Sequence, residues 1–407
     1  MIRRELFQTA QQWAGVFRVI VITGPRQSGK TTLARQAFPE HHYVSLENPD
    51  QRLLAQTDPR AFLAPFRLAH QSPVRGVILD EIQRCPDLLS YLQEIVDEEQ
   101  QPGRWILTGS AHFHVVEAVT QSLAGRAGLL ELMTCSQAEL SQQGVEPKSI
   151  AAALFGGAYP EVATKKLPPL IWYQAYLDSV LERDLRQIVE VRNLDAFQRF
   201  VRLCAGRVGQ MVNRSSLGAD AGVSAETVDR WLSALQAAHI IFLLRPHFQN
   251  FGKRLVKSPK LYFTDPALAV SLLGIREESQ IPTHPLRGNL FENWVLCELR
   301  RSWCNAGEKP PMWFWRDQRG TEIDCIVEHN GALVPVEIKS GQTIAKDWFK
   351  SLQLWQAYAG VQAGPAHLIY GGDMTTLGPQ EVAISPWYTS GELFHPRASS
   401  FPLGSSN

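Results

Sequence analysis

At 407 residues the chain exceeds the ~250–300 residues at which a single hydrophobic core stops growing, which excludes one compact domain and sets an expectation of two or three. Apolar residues at 44% and charged residues at 20% exclude wholesale disorder. Forty Lys+Arg against forty Asp+Glu exclude polyanion binding through bulk charge, so any nucleic-acid surface must be a local patch.

The chain opens on Met1-Ile2-Arg3-Arg4-Glu5 and runs into an amphipathic stretch without the apolar core of a secretion signal. No window approaches the ~18 consecutive apolar residues of a membrane span. Cys85, Cys135, Cys204, Cys297, Cys304 and Cys325 show no C-x-x-C spacing and read as reduced cytosolic thiols. The expectation is a soluble cytoplasmic protein with no membrane partner.

Val19 to Ile22 is a β-branched apolar run, read as a buried strand, and Gly24-Pro25-Arg26-Gln27-Ser28-Gly29-Lys30-Thr31-Thr32 follows Thr23 at once, leading into a helical stretch through Leu33, Ala34 and Ala37. G-x-x-x-x-G-K-[ST] between a strand and a helix predicts a phosphate-binding loop for ATP: backbone N–H groups and the helix N-terminus face the phosphates, Lys30 supplies a point charge, and Thr31 offers a hydroxyl to Mg²⁺. A second buried strand, Val77 to Leu79, ends in Asp80-Glu81. Asp80 is expected to hold the Mg²⁺ shell and Glu81 to polarise the attacking water. A third strand from Trp105 ends in Thr108-Gly109-Ser110, where Ser110, or Thr108 in its stead, is placed to sense the γ-phosphate. Arg126 is a candidate transition-state charge for this site or a neighbour's.

Further along, Arg183 and Asp184 read as an internal ion pair. Ser216 to Leu232 reads as two short helices about a Gly222 turn, with Ser224 as N-cap of the second. Val228, Trp231, Leu232 and Leu235 fall at helical spacing, and a strand from His239 to Leu244 completes a winged-helix pattern. Lys253, Arg254, Lys257 and Lys260 then form a basic ribbon that could neutralise DNA phosphates or serve as a docking face.

His329-Asn330-Gly331-Ala332 is a strong hairpin signal. With Asn330 and Gly331 as the loop, paired positions sum to 661, setting Asp324 opposite Glu337 and Glu322 opposite Lys339 on one face, with Ile323, Cys325, Val336 and Ile338 on the other. Packed carboxylates repel unless a cation or proton lies between them, which points to Mg²⁺ or Mn²⁺. Asp324 with Glu337-Ile338-Lys339 resembles the (D/E)-x-K signature of the restriction-endonuclease-like superfamily. That resemblance implies Glu292, on a helix from Leu290 to Leu299, as a third metal acid, Gln353 on a later helix, and Lys339 as a group that positions the nucleophile or offsets charge.

GPRQSGKTT at 24–32, LDEIQ at 79–83, ILTGS at 106–110, GAYPE at 157–161, LERDL at 181–185, YFTDPALA at 262–269 and FENWVLCEL at 291–299 together resemble the prokaryotic AAA-type P-loop ATPases with a C-terminal domain of unknown function. The resemblance implies an α/β chain: an AAA-like P-loop domain over 1–140, a helical and winged-helix region over 141–275, a restriction-endonuclease-like α/β domain over 276–390, and a disordered tail over 391–407. Such modules often complete their sites across an interface, so a homo-oligomer is compatible with Arg126. The functional expectation is an ATP hydrolase coupled to a nuclease-like domain acting on DNA; the alternative is a regulatory ATPase that binds a protein partner through a non-cleaving nuclease-like domain.

Overall fold

The computed structural model describes residues 2–67, 75–110, 119, 121–181, 194–247 and 257–395; Arg183, Asp184, Lys253 and Arg254 lie outside them. The N-terminal module is a parallel sheet of five strands, β1 (Val19–Thr23), β2 (His41–Ser45), β3 (Gly76–Asp80), β4 (Trp105–Thr108) and β5 (Ala127–Glu131), in the order β2-β3-β4-β1-β5. β1 and β3 are buried throughout, as strands covered on both faces must be. Ile20, Ile22, Ile78 and Ile106 pack under the helices Leu6–Ala14 and Lys30–Ala37. Val19, Val21, Val77, Leu79 and Leu107 pack on the opposite face with Phe62, Leu89, Leu92 and Val96. Insertion of β4 between β1 and β3 brings Ser110 between the phosphate loop and Asp80-Glu81.

In the middle region the helices Leu194–Ala205, Arg214–Ala221 and Ala225–Ala237 are followed by an antiparallel ribbon, β6 (Ile241–Leu244) and β7 (Lys260–Phe263). Ser224 accepts from the Thr227 N–H at 3.2 Å, as an N-cap should, and Trp231 lies edge-on to Phe197 and Phe200. The strand expected from His239 begins two residues later, because His239 takes a left-handed turn at φ 53°. Of the expected basic ribbon, Lys257 is exposed, whereas Lys260 is 3% exposed and faces inward.

The C-terminal module is a mixed sheet formed by β8 (Met312–Arg316), β9 (Glu322–His329), β10 (Ala332–Lys339), β11 (His367–Tyr370), β12 (Thr376–Leu377) and β13 (Ala383–Pro386), in the order β12-β13-β11-β10-β9-β8. The helix Lys350–Ala359, which carries Gln353, covers one face. The 19-residue helix Arg287–Asn305 covers the other and is buried along almost its whole length. It shares one core with the middle helices, so the sequence boundary at 275 does not divide two cores. The expected tail begins too early: Phe394 is 3% exposed and packs against His329 and His367. Among the described residues no helix is long and apolar enough to cross a membrane.

Asn330 and Gly331 both adopt positive φ, 52° and 76°, as a two-residue hairpin turn requires. The predicted register holds from Ala332↔His329 to Val336↔Cys325 and then stops. Trp313 pairs with Ile326 and Trp315 with Ile323, so three steps along β9 match two along β8. This β-bulge re-aims the strand at Asp324. It turns Ile323 to the face of Ile326 and Trp355, whereas Cys325, Val336 and Ile338 face the long helix; the expectation that Ile323 shares their face is therefore corrected.

Candidate functional site

The phosphate loop leaves β1 through Gly24, whose φ is +142° and where a Cβ would stand 2.1 Å from the Leu132 carbonyl oxygen, so no side chain fits. Pro25, Arg26, Gln27 and Ser28 carry the loop to Gly29, the helix N-cap, and Lys30, Thr31 and Thr32 open the helix. Lys30 is 5% exposed. Its ammonium donates to the carbonyls of Gly24 at 3.0 Å and Pro25 at 2.7 Å. Thr31 Oγ1 donates to Asp80 Oδ1 at 2.9 Å and approaches Oδ2 at 3.1 Å, joining the two expected Mg²⁺ ligands. Thr108, the reserve candidate, also donates to Asp80 and so belongs to that acid's support.

Glu81 takes a left-handed backbone, φ 63° and ψ 45°, a sparsely populated conformation for a side-chain-bearing residue. Its carboxylate accepts from the Gln83 amide, which also donates to Ser110 Oγ at 3.0 Å. Glu81 and Ser110, candidates from two strands, are thus joined through one amide. The loop, Glu47 and Glu81 border an open cavity of about 700 Å³ closed from the other side by Pro160, Glu161, Lys165, Tyr176 and Val180. The middle region thereby forms one wall of the nucleotide cavity.

Arg126 is not part of this site. It immediately precedes β5, and its carbonyl accepts from the Val19 N–H at the start of β1, so it stands at the sheet edge opposite the phosphate loop. Its guanidinium forms a two-bond fork on Asp97, at 2.5 and 2.7 Å. The residue on which assembly across an interface rested is engaged within its own chain.

Several contributors escaped the sequence. Tyr43 donates to Asp80 at 2.7 Å and is pushed up to about 12 by burial and that bond. Arg4 pairs with Glu139 at 3.0 Å and donates to the Ser28 carbonyl at 2.6 Å, bracing the loop from outside. Gln83 could have been suspected from its place two residues after the acidic pair, but Tyr43 and Arg4 carry no local signal.

In the C-terminal module, Lys339 donates to Glu337 at 2.5 Å and reaches Asp324 at 3.5 Å. Asp324 also accepts from the Ile338 N–H at 2.8 Å. Glu322 does not face Lys339: beyond the bulge it pairs with Arg316 at 2.6 Å and with Lys260 at 2.5 Å. Glu292 accepts from Lys260 at 3.0 Å and from Tyr262 at 2.5 Å. Burial pushes Glu292 up to about 7, and burial followed by the Asp324 charge pushes Glu337 up to about 8. Two lysines, Lys260 and Lys339, offset the charge of these acids. Among the described residues no three His, Cys, Asp or Glu side chains converge as a metal ligand set. The expected Glu292, Asp324 and Glu337 metal centre is corrected accordingly: the residue types are present, but Lys260 and Lys339 supply the positive charge. The Thr31 and Asp80 pair, in contrast, fits Mg²⁺ as hydroxyl and carboxylate ligands.

The remaining motifs fasten the modules together. Asn293 accepts from the Phe263 N–H at 2.8 Å and donates to the Phe263 carbonyl at 2.7 Å, clamping β7 to the long helix. Asp265 caps the next helix and accepts from Ala158 N–H of the GAYPE stretch at 2.9 Å. Arg301, 1% exposed, pairs with Glu298 at 2.5 Å and Asp265 at 3.5 Å and donates to Thr134 Oγ1 of the N-terminal module at 2.6 Å.

Residues 16–141 match the family model of an AAA domain. Residues 147–279 and 287–387 match Domain of unknown function (DUF8612) and Domain of unknown function (DUF4143). Uncharacterized proteins of Mycobacterium tuberculosis and Mycobacterium bovis are each 34% identical over 331 residues, covering 80% of this chain and 71% of theirs. Among solved structures, the Walker-type ATPase of Pyrococcus abyssi is 14% identical with a TM-score of 0.42, over 66% of this chain and 94% of that one. The AMPPCP-bound DnaA of Aquifex aeolicus is 15% identical with a TM-score of 0.29, over 57% and 85%.

Proposed function

The chain belongs to the family of AAA-domain proteins represented by these two mycobacterial relatives, and from that premise we propose that it is an ATP hydrolase whose nucleotide cycle controls a nuclease-like C-terminal module acting on DNA. The observation that carries the ATPase reading is the convergence of Lys30, the Thr31 and Asp80 pair, and the Glu81, Gln83 and Ser110 chain at one sheet edge. The Lys30 ammonium can exchange its carbonyl partners for β- and γ-phosphate oxygens. Thr31 and Asp80 would hold Mg²⁺, which when bound draws charge from the phosphate oxygens. Glu81, steadied by Gln83, orients the attacking water and accepts its proton, while Ser110 offers a hydroxyl on the γ-phosphate side.

The helix-turn-helix and ribbon, with Lys257 exposed, support the DNA half of the reading, as do Asp324, Glu337 and Lys339 by residue type. One observation favours a second reading, a regulatory ATPase that binds a protein partner: Lys260 already neutralises Glu292 and Glu322. The test is cleavage of single-stranded, duplex and branched DNA with Mg²⁺ or Mn²⁺, with and without ATP, by wild type, Glu337→Ala and Lys30→Ala. Cleavage lost in Glu337→Ala and altered in Lys30→Ala is the result expected of an ATP-gated nuclease. Intact ATP hydrolysis without cleavage of any substrate would replace it with the partner-binding ATPase.

A further inference from the structure

Asp80 closes β3 and is 5% exposed. The terminal torsion of an aspartate is broad, so hydrogen bonds set the direction of its carboxylate, and here they come from three elements. Thr31, on the helix Lys30–Ala37, stands 2.9 Å from Oδ1 and 3.1 Å from Oδ2, but a hydroxyl carries one proton and its shorter contact is to Oδ1. Thr108, at the end of β4, also donates to Oδ1. Oδ2 accepts from the Tyr43 hydroxyl of β2 at 2.7 Å. In the register of β2 and β3, Ser45 pairs with Asp80 and Tyr43 with Ile78. Tyr43 therefore shares the face of Asp80, two residues back on the neighbouring strand, and the length of its phenol closes that gap. Its ring packs against the cluster that contains Ile22 and Ile78, with the Arg35 guanidinium 5.0 Å from the ring centre.

We propose that Tyr43 is a positioning residue of the nucleotide site: its hydroxyl fixes the plane of the Asp80 carboxylate, and with it the extent to which Mg²⁺ strengthens nucleotide binding. The proposal deepens the ATPase reading and rests on it. With both threonine protons directed to Oδ1, loss of the Tyr43 hydroxyl frees the carboxylate to pivot about that oxygen. Mg²⁺ demands near-octahedral ligands at ~2.0–2.1 Å, which leaves little tolerance for such a pivot. Removing an outer partner of a ligating carboxylate costs roughly 10–100-fold in metal affinity. Binding of metal-free nucleotide draws instead on Lys30 and the loop backbone and should not change. Tyr43→Phe keeps the ring, and with it the packing against Ile78 and Arg35, so it removes the hydroxyl alone.

The test is calorimetric titration of the whole chain with AMPPCP, a non-hydrolysable ATP analogue, once in EDTA and once in saturating Mg²⁺. In EDTA, Tyr43→Phe is expected to bind within about twofold of wild type. In Mg²⁺ it is expected to bind about 10–100-fold more weakly than wild type. Equal affinities of the two proteins in Mg²⁺ would overturn the proposal. So would an equal loss in EDTA and in Mg²⁺, which would assign Tyr43 to the support of the loop and not to the metal side. Should Tyr43→Phe not fold by circular dichroism, Tyr43→Met, which fills the space without a donor, replaces it; failure of both to fold would make Tyr43 a residue of the fold and overturn the positioning role. A wild type that takes up no AMPPCP in either condition would remove the ATP reading itself, an outcome distinct from a wild type that binds and a Tyr43→Phe that binds alike.

Discussion

Arg4 and Glu139, 135 positions apart, form a buried ion pair at 3.0 Å, and the same guanidinium donates at 2.6 Å to the Ser28 carbonyl inside the phosphate loop. Replacing Arg4 with Met leaves Glu139, fully buried, without its counter-charge. The expected cost is about 3–5 kcal/mol in chemical denaturation, because breaking a buried pair strands the other charge. Nucleotide affinity should fall as well. Arg4→Lys should restore neither, since an ammonium cannot reproduce the fork to Glu139, Ser28 and Met133.

Gln83 acts through Glu81 and Ser110 rather than on the nucleotide. Gln83→Ala is expected to lower kcat by about 10–100-fold, no more than the lower end of the ~10²–10⁴-fold that a positioned general base supplies, with KM for ATP within about twofold. Steady-state hydrolysis at saturating and limiting ATP separates the two. A rise in KM with unchanged kcat would assign Gln83 to binding.

Arg301 is the buried cation that joins Thr134, Glu298 and Asp265. A double-mutant cycle on Arg301→Met and Thr134→Val should give a coupling energy of about 0.5–3 kcal/mol, as for residues within one network. Additive effects would show that the Arg301 to Thr134 hydrogen bond does not couple the two modules.

Burial, and then the neighbouring His329, push His367 down to about 4 from 6.5. The folded state therefore binds this proton less tightly than the unfolded state. The stability His367 contributes is present above pH 6.5 and is lost as pH falls towards 4. Thermal melts between pH 7 and pH 4 should show His367→Gln losing less stability over that interval than wild type. Equal losses would place the acid sensitivity elsewhere.

The phosphate loop and the acidic strand end were legible because their chemistry is written in contiguous residues: Gly24 to Thr32, and Asp80 with Glu81. The hairpin turn at Asn330 and Gly331 was legible for the same reason, since only the turn demands two positive φ angles. The bulge at Asp324 was not, because it arises from how β9 meets β8, and nothing in the run Glu322 to Cys325 announces an extra residue. Lys260 reads as one more base in a basic stretch until the fold turns it towards Glu292, 32 positions away. The place of Arg126 was not legible either, because spacing along the chain does not say which edge of a parallel sheet a residue occupies.

The most direct measurement is ATP turnover by Glu81→Gln alongside its ATP affinity. The account predicts nucleotide binding close to wild type with turnover at least about 100-fold slower, as expected when the water-orienting carboxylate is lost and the phosphate-holding groups remain. Hydrolysis by Glu81→Gln at the wild-type rate would contradict it.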